Sequence, residues 1–195
     1  MPRALPTTIR QTATTLMGLT LAGTLAACGA HGTASDDPTP TVEELAIGDT
    51  AQVDFYPLSI GASSRTEPVG AGSVTVTAVR RGAINDLSQA GYTLDADQES
   101  STPYYIDVRF ENTSSVQVEP RSPGGIDENG DSILALTLLD FGGPGFEPCA
   151  GVPHTVRPAA TAEGCVVVLV PSGHVLKRIY YVAGATVPKL LWQAS

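Results

Sequence analysis

The chain is poor in the residues and spacings that carry covalent chemistry. It holds three cysteines and three histidines, and none of the patterns G-x-S-x-G, S-x-x-K or C-x-x-C. An activated serine, a serine–lysine pair and a redox dithiol therefore all lack a motif. The glycine-rich stretch at 142–145 has no Gly-Lys-Ser/Thr ending and no helix pattern after it, which removes a phosphate loop. Ser172 and His174 stand two apart, which is no dyad signature, so no catalytic residues and no cofactor are expected. Basic residues are scarce as well, 11 Lys and Arg against 20 Asp and Glu, for a net charge of −9. Such a surface repels phosphate backbones and anionic headgroups, so neither nucleic acid nor an electrostatically held membrane is an expected partner. Amphipathic helices and internal repeats are missing too.

What is present begins with an export signal. Arg3 and Arg10 precede a charge-free stretch over 16–27 that ends in small residues, the order of a basic region followed by an apolar one. A bilayer-spanning helix needs about 20 mostly apolar residues, and this run is shorter and interrupted by threonine. Leu25-Ala26-Ala27-Cys28-Gly29 resembles the lipobox of bacterial lipoproteins, in which the signal is cut on the amino side of the cysteine and the thiol takes a diacylglyceryl group. Each buried methylene contributes about 0.8 kcal/mol, so two chains on Cys28 anchor firmly. The expected location is the extracytoplasmic face of the cell membrane, with the lipid rather than charge holding the protein there. An ordinary secretory signal with a chance cysteine is the plainer alternative. Nothing resembles a twin arginine in the leader, so general secretion is the expected route.

The 168 residues from Cys28 to Ser195 suffice for one domain with a core. Cleavage removes two arginines and no acid, leaving nine basic residues against 20 acidic ones and a net charge of −11. Lipidation of Cys28 leaves Cys149 and Cys165 as an even pair in an oxidising compartment, which predicts a Cys149–Cys165 disulfide. A metal site on the two thiols is the alternative, without the close spacing zinc sites usually show. Residues 28–46 are rich in Pro, Thr and Asp and poor in large apolar side chains, the composition of a flexible tether. The domain is expected over residues 47–195.

From residue 47 the apolar pattern has period two. Strands are predicted at 51–55, 73–79 and 104–110, and further ones at 116–119, 133–140, 164–170 and 177–182, these last four set off by Gly, Pro, Asn or Asp. Over 104–110 the alternation is cleanest, with Tyr104, Ile106, Val108 and Phe110 on one face and Asp107 and Arg109 on the other. Residues 166–170 are apolar on both faces, which points to a central strand. Only 83–90 suggests a helical turn or two. Seven or so short strands with turns between them predict an all-β, immunoglobulin-like antiparallel β-sandwich.

The strand at 74–81, the strand at 104–112 ending in FENTS, the acidic turn, the Cys149/Cys165 pair, CVVVLVPSG and the closing LKRIYYV together resemble the DUF4352-type immunoglobulin-like domains. These occur in Gram-positive and especially actinobacterial lipoproteins and are related in fold to secreted mycobacterial immunoglobulin-like antigens. The resemblance spans roughly residues 47 to 192. It implies the sandwich and a cell-surface setting, and it brings no activity and no catalytic residue. The polar segment 80–103 departs from the pattern.

Candidate sites are few. Asp127, Asn129 and Asp131 offer oxygens at relative positions 1, 3 and 5, as calcium loops do. Glycine, however, is fourth rather than sixth, position 12 is Leu138, and Asn129-Gly130 is equally a tight-turn pair. Asp95, Asp97 and Glu99 form a second acidic run, read as a solvated loop. His31, His154 and His174 lack the spacing that brings ligands together within one element and read as surface-loop histidines. Phe141 and Phe146 flank the Gly-Pro loop and are the candidate partner surface. The function expected is a membrane-tethered module that binds an envelope protein or small ligand. An accessory subunit of an envelope transport or signalling complex, and a calcium-binding or hydrolytic protein, are the alternatives.

Overall fold

Three long strands form the heart of one sheet: β3 (Gly70–Arg81), β4 (Thr102–Asn112) and β8 (Ala160–Val170). The computed structural model describes residues 42–56, 67–138, 145–184 and 189–194, all within the unit Pro38–Ser195. β2 (Thr50–Phe55) and β7 (Ala135–Leu136) flank the three, in the order β2-β3-β4-β8-β7. A second sheet runs β1-β10-β9-β5-β6, built from Glu43–Leu45, Leu190–Gln193, Leu176–Tyr181, Gly124–Asp127 and Ser132–Ile133. Every pairing is antiparallel except β1 with β10.

The two sheets bury one core between them. Val74, Val76, Ile106, Val108, Phe110, Val166 and Val168 point inward from the first, and Leu176, Ile179, Tyr181 and Trp192 from the second. The all-β sandwich expected from the period-two pattern is the observed architecture. Seven of the described strands have four or more residues, and β1, β6 and β7 are two- or three-residue additions.

A bulge changes which residues face out. β3 slips register against β4 between Val76 and Ala78, so Thr77 has no partner. An extra residue reverses the alternation beyond it. Val74 and Val76 face the core before the bulge and Val79 packs against it after, which leaves Arg80 on the outer face.

That outer face is covered. Residues 80–103 fold into α1 (Ile84–Gln89) and α2 (Ala96–Ser100). α1, with Tyr92 and Leu94 after it, and the loop around Phe146 enclose a second core of Leu87, Tyr105, Phe146, Cys149, Cys165 and Val167. The two-sided apolarity of 166–170 has its cause here, since alternate residues of β8 serve the two cores. β8 is flanked by β4 and β7, as a strand apolar on both faces requires. The acidic run is not a loop: Asp95 caps α2 by accepting from the Gln98 amide at 2.9 Å, with Asp97 and Glu99 in its first turn.

Other expectations are corrected. The sheet takes in Glu43–Leu45, inside the stretch read as tether, because Leu45 packs against the main core. The strand expected at 116–119 is reduced to one bridge, Val118 with Val156. The cause is Asn112, buried at 1 % exposure, whose Nδ2 donates to the carbonyls of Val116 at 2.7 Å and of Val156 and Arg157 at 3.1 Å. Its Oδ1 accepts from the amide and hydroxyl of Ser114. A side chain thus takes backbone partners that a ladder would use. The strand expected at 133–140 is two short pieces broken at Leu134, which is 78 % exposed, and 139–140 lie outside the described residues. β5 and β10 had no expected counterpart.

Candidate functional site

Cys149 and Cys165 are disulfide-bonded, with Cα atoms 5.1 Å apart. The bridge ties the Phe146 loop to the outer face of β8. Arg80 holds the same loop from the other side. Its Nε and Nη2 donate to the two Asp107 oxygens at 2.8 and 2.9 Å, and Nη2 donates to the Pro148 carbonyl at 3.0 Å. Its guanidinium carbon lies 5.4 Å from the centre of the Tyr105 ring. Phe146, expected on a partner surface, is 5 % exposed and packs edge-on against Tyr105 and Tyr92 at 5.6 and 6.2 Å. An apolar ring beside a disulfide finds more contact inward than outward, and Phe146 is core. Phe141 and Cys28 lie outside the described residues.

The acidic turn closes on itself. Asp127 is 2 % exposed, and its Oδ1 accepts from the Asn129 amide at 3.0 Å and the Asp131 amide at 2.8 Å. Gly130 takes φ +88°, which the turn requires and glycine supplies. The second oxygen of Asp127 lies 2.6 Å from Nδ1 of His174, and Glu128 Oε2 accepts from the Val175 amide at 2.5 Å. Asn129 and Asp131 thus contribute backbone donors to Asp127. The atoms that do converge, all within 4.8 Å of one another, belong to Asp127, Glu128 and His174. His174 is therefore a partner of the turn and not an unattached loop histidine. Its pKa is raised, chiefly by the hydrogen bond to Asp127, and that of Asp127 is lowered by the same bond. Sequence spacing could not show this pairing, because 47 residues separate the two.

A third place has the shape of a binding site. The Val118–Val156 bridge and the Asn112 amide staple two loop segments together, bringing residues 120–122 beside 152–154. With Tyr180 and Val182 at the end of β9 they enclose a cleft of about 510 Å³, within the usual range for small-molecule sites. Pro120, Val152, Pro153 and Val182 give it apolar walls, and Arg121, Ser122, His154 and Tyr180 give it polar groups. Gly124 sets the place of Tyr180: a Cβ there would lie 2.5 Å from the ring's Cζ, so the ring lies across bare backbone. Arg121 is held through its main chain, whose amide donates to the hydroxyl of buried Tyr181 at 3.4 Å. Burial pushes that hydroxyl's pKa up to about 12. The sequence offered no sign of the cleft beyond prolines on either side of Arg121 and Ser122, which stiffen the segment without saying what it faces.

No family model matches the chain, and no curated protein matches it. Among solved structures it is similar in fold to a secreted protein of Mycobacterium tuberculosis, MPT63, with a TM-score of 0.52 and 11 % identity, over 80 % of this chain and 99 % of that one. An uncharacterized β-sandwich protein of Clostridium difficile 630 aligns with a TM-score of 0.46 and 10 % identity, over 80 % of this chain and 97 % of that one. The first likeness is one of fold.

Proposed function

We propose that the protein is an envelope lipoprotein of the DUF4352-like kind, anchored outside the cytoplasm through lipid on Cys28, whose β-sandwich works by binding rather than by catalysis. The observation that carries the binding role is the cleft of about 510 Å³ beside Arg121, with apolar walls and four polar groups. The non-catalytic reading is supported by the wiring of His174. Its Nδ1 is engaged with Asp127 and Asn129, and among the described residues no hydroxyl or thiol is hydrogen-bonded to it. A histidine and a carboxylate without a nucleophile hold a turn and activate nothing. The anchor rests on the lipobox at Leu25–Gly29 behind an apolar, small-residue stretch, and the tether on the composition of the residues after it.

Metabolic labelling with an alkyne fatty acid in an actinobacterial host tests the anchor. The wild-type chain is expected to carry the label and fractionate with membranes. The Cys28→Ala chain is expected to lose both. Labelling that persists in Cys28→Ala, or wild-type protein without label, overturns the lipoprotein reading. Crosslinking in the same cells then reports the partner, with the Cys28→Ala form as control.

A further inference from the structure

We propose that the Arg121 cleft binds a small organic monoanion, a carboxylate carried on an apolar body, with Arg121 as its counter-ion. The proposal rests on the binding-module reading and names the ligand class of that site.

The argument begins with an unpartnered charge. Among the described residues Arg121 Nε is buried without a hydrogen-bond partner. No carboxylate pairs with the guanidinium among the described residues, although Glu119 is only two positions upstream. A buried charged donor without a partner is costly, and native chains keep few of them. The other buried ionic group at a turn, Asp127, has all its partners within the fold. Arg121 is the exception, and although its Nε is shut off from solvent, the rest of the half-buried side chain borders open space large enough for a ligand.

Charge around the cleft agrees. Acidic residues outnumber basic ones 20 to 11 in the chain, yet among the described residues no Asp or Glu lines this cavity. The Lys189 ammonium sits 5.0 Å from the centre of the Tyr180 ring, on the wall of the cleft, and adds to the positive potential there. A cationic recess on an acidic surface can admit an anion that the rest of the surface repels.

The geometry selects among anions. A guanidinium presents parallel donors that match the two oxygens of a carboxylate. Arg121 is the one Arg or Lys in the lining, which suits a single negative charge better than a phosphate dianion. Val152, Pro153 and Val182 then receive the apolar body. The backbone under the recess is anchored, with the Arg121 amide donating to Tyr181 and the Tyr180 ring lying over Gly124.

The test uses the full exported chain, in nanodiscs if it carries lipid and free in buffer if it does not, with protein-free samples as blank, and a pair of probes of one shape, phenylacetate and its neutral amide. Saturable binding of phenylacetate is expected, with shifts in amide resonances at residues 120–122 and 152–154. The amide is expected to bind at least about tenfold more weakly, as loss of one charged hydrogen-bonded contact implies. Arg121→Gln should lose phenylacetate by a similar factor while keeping its melting temperature, and Arg121→Lys should retain part of the affinity. Equal affinity for the two probes overturns the proposal. So does unchanged affinity in Arg121→Gln, or the absence of saturable phenylacetate binding. If Cys28 labels normally and phenylacetate fails, only the anion site falls; if phenylacetate binds and Cys28 carries no label, the site stands and the anchor falls.

Discussion

The indole Nε1 of Trp192 donates to the carbonyl of Asp49 at 3.0 Å, joining the last strand to the turn between the first two. The ring is wholly buried in the main core and is the chain's single tryptophan. Its fluorescence should be blue-shifted when folded and move red cooperatively on unfolding. Trp192→Phe leaves the Asp49 carbonyl without its donor and should destabilise by about 1–3 kcal/mol. Trp192→Ala also leaves a cavity and should lose about 3–5 kcal/mol. Urea melts followed by far-ultraviolet circular dichroism measure both.

The disulfide closes a loop of 16 residues and anchors the second core. Replacing both Cys149 and Cys165 by Ala should destabilise the domain by about 3 kcal/mol on the chain-entropy argument. Proteolysis should then begin near Phe146, whose ring loses the support of the bridge. A variant with the wild-type melting temperature and cleavage pattern would contradict this role.

The His174–Asp127 pair gives stability a pH window. A raised histidine pKa means a contribution complete below the ordinary value of about 6.5 and lost as pH climbs through the higher folded value. A lowered aspartate pKa means a contribution present above the ordinary value of about 3.9 and lost as pH falls through the lower folded value. The pair therefore stabilises most between about pH 4 and 6.5. Nuclear magnetic resonance should place the His174 midpoint above the ordinary value, and Asp127→Asn should bring it back down. A wild-type midpoint at or below that of the variant would refute the pairing in solution.

Strand periodicity was legible wherever a strand has one buried face, as over Ile106–Phe110, where Ile106, Val108 and Phe110 are buried and Arg109 is exposed. It failed at Gly124–Asp127, whose four residues are all buried and begin with two glycines. Neither alternation nor β propensity marks such a strand, and only its pairing with β9 makes it one. The FENTS ending could be seen in the sequence but not its use. Asn112 looks like any turn asparagine until the two loops it clamps are brought beside it. The disulfide pairing followed from counting and compartment. The partnerships of Phe146, His174 and Arg121 depend on residues far along the chain, and local pattern carries no information about those.

Glu43–Leu45 lies alongside Leu190–Gln193, so the first strand of the fold is held to the last by only three residue pairs. Tension on the chain ahead of Val42 enters the sandwich at this short attachment, well before it loads the six-pair β2–β3 ladder or the longer ones beyond. Stripped away, the three residues lengthen the leash by roughly 10 Å at the reach of an extended chain. The next points of resistance are Ile47, packed against the main core, the Gly48 amide donating to the Val76 carbonyl at 2.9 Å, and the Trp192–Asp49 bond. The edge of the second sheet is in this sense a mechanical fuse, able to yield under a pull while the cleft stays folded.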